Sequence, residues 1–267
     1  LSGSSLQPIP YPDVNAALNA LRTGVHAVLG ENLVGLYVHG SLANGGFEPR
    51  RSDIDFIAAT NGELPPQTIE ALAAMHAALA TTPHLTPEAR DWVRKMEGSY
   101  IPRAHLRRYD PAHARHPALR VDGSFGVDFH ASDWVIQRYV LRERGIALYG
   151  PDPRTLIDPI APADLRRAAR GILEEWWAPM LDDLYRLPEA EYQAYAVLTM
   201  CRSLYTLERA DVASKAAAAH WAQAQLGPPL AGLIEQALQW GHGDPFDRLP
   251  DVMTFIRYTL ERARGLA

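Results

Sequence analysis

Proline does most to limit what this chain can become. Pro151, Pro153, Pro159 and Pro162 fall within twelve residues. Proline removes a backbone donor and fixes φ, so neither a helix nor a sheet interior runs through such a stretch. The sequence changes character across it. Before the prolines, short apolar runs alternate with helical periodicity. After them, Ala- and Leu-rich sequence repeats helical spacing. A chain of 267 residues accommodates two ordinary domains. The spacing therefore predicts a domain of strands and helices over 6–157 and a helical bundle over 158–267.

In the first part, Val14, Ala17, Leu18, Leu21, Val25, Val28 and Leu29 recur at helical spacing, and Gly30 is a plausible stop. Leu33 to Val38 reads as a buried strand, broken by His39-Gly-Ser41. Ile54 to Ala59 reads as the next strand, 65–80 as a helix opened by Pro65-Pro66, and 92–101 as a third strand. A helix is expected over 133–144 with Ser132 as its cap. In the second part the expected helices are 163–186, 189–209, 214–225, 229–240 and 249–264.

Composition narrows the function classes. Apolar residues make up 47% and charged residues 21%, as in soluble globular proteins. No apolar run approaches the roughly 18 residues that span a bilayer. The start, Leu1 to Ser5, reads as a cloning remnant, and no cationic segment followed by an apolar stretch suggests secretion. A cytoplasmic monomer is expected. The net charge of −5 disfavours a nucleic-acid partner, which needs clustered cations, and suits a cationic small molecule. The single cysteine, Cys201, excludes an internal disulfide and reads as a core thiol. His113 and His116 read as loop residues without a ligand partner. At least one of Trp176 and Trp177 is expected in the core. Arg166, Arg167 and Arg170 are expected on a solvated helix face.

The chemistry concentrates between His39 and Ile57. Asp53 and Asp55 are two apart at the start of a strand, so both point to one face while Ile54 and Phe56 enter the core. Two bare carboxylates repel, and a divalent cation removes the conflict. Gly40 and Ser41 close the preceding strand. Glycine admits a close ligand, and serine offers an N–H and a hydroxyl to phosphate oxygens. A phosphate grip and a metal pair thus lie within sixteen residues. Asp-x-Asp alone marks a solvated turn more often than a site; the combination is what carries the reading.

Gly40-Ser41, eleven residues, then Asp53-x-Asp55 resembles the polymerase-β-like nucleotidyltransferase superfamily. More narrowly, the chain resembles the streptomycin/spectinomycin type of aminoglycoside nucleotidyltransferase. Gly150-Pro151 with Asp158-Pro159, Leu198-Thr-Met-Cys-Arg202, and Lys215 followed by Trp221-Ala222 carry that narrower likeness. The resemblance implies an α+β fold: an N-terminal polymerase-β-like domain, a mixed sheet with flanking helices, followed by the helical bundle. It implies transfer of AMP from ATP to an antibiotic hydroxyl, with ATP as co-substrate and two Mg²⁺ ions held by Asp53 and Asp55. Gly40, Ser41, Ser52, Arg202 and Lys215 would contact the nucleotide, and Glu97 would be the catalytic base. Glu97 could instead pair with Arg94 or Lys95, Arg202 with Glu208, and Lys215 could be a plain solvated lysine. The family's acceptor-binding acids precede the arginine helix, where this chain has Tyr192 at the key position and Glu189 and Glu191 nearby. That departure leaves open a different small-molecule or protein hydroxyl as acceptor, and a silent nucleotide sensor.

Overall fold

The structure, a computed structural model, describes residues 9–49, 51–241 and 243–265. Leu1 to Ser5 lies outside them. Contacts divide the chain into two units: residues up to 131 with 137–159, and 132–136 with 160–267.

The first unit opens with α1 (Pro12–Leu29), which buries Val14, Ala17, Leu18, Leu21, Val25 and Leu29, the apolar stripe of the sequence. Gly30 ends it at φ 51°, a conformation that favours glycine. There follow β1 (Leu33–Val38), a single turn α2 (Gly40–Ala43), β2 (Ile54–Thr60), α3 (Pro66–Leu79), α4 (Pro87–Arg94), β3 (Met96–Pro102), α5 (Arg103–Arg107), β4 (Arg115–Leu119), β5 (Phe125–Phe129), α6 (Asp133–Arg144) and β6 (Ile146–Tyr149). The strands form one sheet in the order β5-β4-β3-β2-β1-β6. Only β2 and β3 pair in parallel; the other neighbours are antiparallel. The sheet is mixed and flanked by helices, as expected. Leu18, Leu21, Leu36, Ile54, Phe56 and Tyr100 are fully buried in its core. Each such side chain contributes about 1.5–3 kcal/mol of burial.

In this first unit three expectations need correction. Residues 92–94 belong to α4, whose N-terminus is capped by the Thr86 hydroxyl accepting from Ala89 N–H at 3.1 Å, and the strand starts only at Met96. His116 is not in a loop but in β4, 1% exposed. His113 does have a partner, the Asp110 carboxylate at 3.0 Å.

In the second unit, α7 (Pro162–Ile172) runs into one π-helical turn over Leu173–Trp177, and a short 3₁₀ turn over Pro179–Leu181 follows. The expected helix over 163–186 therefore stops early, since Pro179 lacks the N–H that would continue it. Then come α8 (Ala190–Arg209), α9 (Lys215–Gln225), α10 (Pro228–Gln239) and α11 (Leu249–Gly265). The central helix α8 buries Val197, Met200, Cys201 and Leu204. Burial pushes the Cys201 thiol up to about 12, so it is a core thiol. Trp177 is 1% exposed and Trp176 is 49% exposed. Arg167 pairs with Asp164 on the surface, but Arg166 and Arg170 are half-buried and donate to the carbonyls of Leu207 and Ala263. These two arginines tie α7 to α8 and α11, which corrects the expectation of a solvated basic face.

Candidate active site

The parallel pairing of β2 and β3 builds the site. It sets Asp55 opposite Glu97 and Ile54 opposite Met96. Alternation then sends Ile54, Phe56 and Met96 into the core. The two acids are left half-buried on the other face, where Asp53, just before β2, joins them. One carboxylate oxygen from each of Asp53, Asp55 and Glu97 lies within 4.8 Å of the others. Three acids this close repel strongly unless a cation or protons intervene. The donors are all hard oxygens, the set that suits Mg²⁺ rather than a softer metal.

Gly40 lies against this cluster. Its φ is +59°, and a Cβ there would overlap the Asp55 carboxylate. Only glycine gives both the backbone turn and the space. The preceding His39 is 6% exposed, and its backbone N–H donates to the Asp55 carbonyl at 3.0 Å. Burial pushes the His39 imidazole below its usual value, against the opposing pull of Asp55 and a bond to the Gln137 side chain.

The Ser41 hydroxyl is buried with no hydrogen-bond partner. Such a group costs about 1–3 kcal/mol unless a ligand or water satisfies it. Ser52 is committed to its own loop: its hydroxyl accepts from Glu48 N–H at 2.9 Å, and its N–H donates to the Glu48 carbonyl at 2.8 Å. The Ser52 O–H remains able to donate. Asn44, just after α2, accepts from the Arg144 guanidinium on α6. No local sequence pattern marks that contact, because 100 residues separate the partners.

The remaining candidates lie in the second unit. Arg202 is half-buried on α8, and its guanidinium makes no hydrogen bond or ion pair with a described residue; Glu208 pairs with Arg262 instead. Lys215 is the first residue of α9, next to the capping Ser214, with its ammonium 5.7 Å from the Tyr195 ring centre. Tyr192 is 8% exposed, and its hydroxyl accepts from Trp176 Nε1 at 3.0 Å. Burial is the main cause that raises the Tyr192 phenol above its usual value. Glu189 is exposed and held by Arg186 at 2.7 Å, which keeps its carboxyl below the ordinary value; Glu191 is also exposed. Trp176, Tyr185 and Tyr195 leave 49%, 65% and 41% of their surface open.

Known proteins resemble this chain in both sequence and fold. Residues 155–262 match the family "Aminoglycoside adenylyltransferase, C-terminal domain". A spectinomycin 9-adenylyltransferase of Staphylococcus aureus is 26% identical over 88% of this chain and 87% of its own. An aminoglycoside (3'')(9) adenylyltransferase of Escherichia coli is 26% identical over 89% of this chain and 88% of its own. The fold matches the crystal structure of spectinomycin adenyltransferase AAD(9) from Enterococcus faecialis with ATP and spectinomycin: TM-score 0.73, 21% identity, 94% of this chain and 99% of that one. The chain is thus similar in sequence to aminoglycoside and spectinomycin adenylyltransferases and similar in fold to one of them, in line with the resemblance its motifs carry. No described helix is long and apolar enough to cross a membrane.

Proposed function

We propose that the protein transfers AMP from ATP to a hydroxyl of a cationic aminoglycoside or aminocyclitol, releasing pyrophosphate, and that the transfer depends on Mg²⁺. The observation that carries this reading is the convergence of Asp53, Asp55 and Glu97 beside the Gly40 turn. The relatives' names support an adenylyl group and an antibiotic acceptor.

Asp53 and Asp55 would hold the metal, which neutralises charge on the triphosphate and on the attacking oxygen. Ser41 donates its unpartnered hydroxyl to a phosphate oxygen, and the Gly40 backbone lets that phosphate approach. Ser52 adds its remaining O–H. Arg202 and Lys215 meet the spread negative charge of the transferring phosphoryl group. Glu97 takes the proton from the acceptor hydroxyl.

Because Tyr192 stands where the resemblance places a key acceptor-binding acid, acceptor recognition rests on other chemistry. Tyr192 is buried, and the Glu189 charge is offset by Arg186. The exposed rings of Trp176, Tyr185 and Tyr195 offer faces to ammonium groups, with Glu174 and Glu191 exposed beside them in sequence.

The test is pyrophosphate release from ATP in the presence of Mg²⁺ and a panel of aminoglycosides and aminocyclitols. Release is expected only with a cationic acceptor. Glu97→Gln should lower turnover by about 10²–10⁴-fold while calorimetry still shows ATP binding. Wild-type turnover in that variant removes Glu97 from the mechanism. Tight ATP binding without release across the panel favours a nucleotide sensor.

A further inference from the structure

The two edges of the sheet differ. At one edge, the pairing of β6 with β1 shifts register between Leu36 and Tyr37, and Gly150-Pro151 follows the strand. Irregularity of this kind keeps an edge from pairing further. At the other edge, β5 pairs with β4 residue for residue from Phe125 to Phe129 without a shift, and it carries no proline or lysine. The Arg120 N–H donates to the Ser124 carbonyl at 2.9 Å, and the His130 N–H to the Ala114 carbonyl at 2.7 Å. The even-numbered residues therefore bond towards β4. By the alternation of an antiparallel ladder, the N–H and C=O groups of Phe125, Val127 and Phe129 point to the open edge. On the same face of that edge, Val127 is 49% and Phe129 55% exposed.

We propose that β5 pairs antiparallel with β5 of a second copy of this chain, about a two-fold axis through Val127. The apolar positions of Phe125-Gly-Val-Asp-Phe129 read Phe, Val, Phe from either end. With Val127 opposite its own counterpart, Phe125 comes opposite the partner's Phe129. Each outward residue then exchanges N–H···O=C bonds with the residue it faces. Facing aromatic and β-branched side chains are favourable cross-strand pairs. Phe125 is only half-buried against its own core, and the partner's Phe129 would cover it.

The other face supplies the charge match. Arg120 holds the Asp128 carboxylate through Nε at 2.9 Å and through Nη2, and its Nη1 donates to the Ser124 hydroxyl. The guanidinium lies across Gly126, where a Cβ would come within 2.8 Å of Nη2. In the symmetric register, Asp128 stands opposite the partner's Gly126 and so beside the partner's Arg120. The remaining Nη protons of each arginine are then in reach of the facing carboxylate. Two-fold symmetry makes the contact twice. Slipping to the next register either way sets the two Asp128 residues, or the two arginines over Gly126, face to face, which repel. A strand of another protein would have to reproduce both the alternation and the placed cation; a second copy already has them. This dimer departs from the monomer expected of the sequence. Because β4 stands between β5 and β3, the acids of β2 and β3 stay clear of it.

The experiment is sedimentation velocity of the intact chain from low to high micromolar concentration. One strand pair is a small interface, so a concentration-dependent dimer is expected. Val127→Lys and Val127→Glu each set like charges face to face on the axis and should weaken the dimer about tenfold or more. An equimolar mixture of the two should recover the dimer, because lysine then faces glutamate. Val127→Cys, a smaller change, should form an interchain disulfide under mild oxidation, since facing Cα atoms in such a pair are about 5.5 Å apart. Cys201 is buried and does not compete. A wild-type chain that stays monomeric throughout overturns the proposal and leaves the edge to a strand of another protein. So does a dimer that neither charged variant weakens, a mixture that stays monomeric, or a Val127→Cys chain that forms no cross-link.

Discussion

At the scale of single residues, Gly40 is the position where backbone conformation and chemistry meet most closely. Alanine there must adopt a left-handed φ, at about 1–2 kcal/mol, and its methyl group would displace the Asp55 carboxylate. Gly40→Ala should therefore fold, by circular dichroism, yet lose about 100-fold or more in turnover, the cost of misplacing a reacting group by about 1 Å. Near-normal turnover would show that Asp55 need not stand where it does. The Asp pair, Gly40 and Ser41 were legible in the sequence because their spacing alone puts them at adjoining strand ends. The Asn44–Arg144 contact and the aromatic environment of Tyr192 were not. Both depend on packing between segments far apart in the chain, which no local period encodes.

At the scale of elements, strong periodicity was read well and mixed signals were not. The stripe of α1 and the apolar run of β1 gave their bounds almost directly. By contrast, β4 reads Arg-His-Pro-Ala-Leu, and Pro117 argues against a strand. It is tolerated because β4 pairs with β3 only at Ala118 and Leu119, so the missing N–H breaks no ladder bond to that neighbour. The last turn of α4, residues 92–94, falls inside the strand expected over 92–101, where Trp92 and Val93 are residue types that also favour strands. In the second unit, α9 begins at Lys215, and the Ser214 hydroxyl accepts from Ala217 N–H at 3.3 Å. Ser214→Ala should cost about 1 kcal/mol in denaturant unfolding. Because the same cap fixes the first turn that carries Lys215, it should also raise KM for ATP more than it lowers kcat. No change in KM would detach Lys215 from nucleotide binding.

At the scale of the whole molecule, acid should undermine the first unit through His76. Its ring lies between Phe56 and Phe125, and its Nε2 is 2.7 Å from the Tyr100 hydroxyl. Burial lowers its pKa from 6.5 to about 4. The folded state thus favours neutral imidazole, while the unfolded chain binds the proton more readily. The stabilisation is complete above pH 6.5 and is lost as pH falls through 4. Denaturant midpoints should drop across that window. His76→Phe should flatten the drop while lowering stability at neutral pH, because the Tyr100 hydroxyl loses its partner. An unchanged acid limb would place the proton uptake elsewhere.

The parallel neighbours β2 and β3 are joined by the whole segment 61–95, which includes α3 and α4. No hairpin can bring their acids together. During synthesis the aspartates and the Gly-Ser turn are added to the chain before Glu97, with all of α3 and α4 between them. The growing chain can thus acquire its cation-attracting pair early. The capacity for turnover must wait until that long crossover has closed.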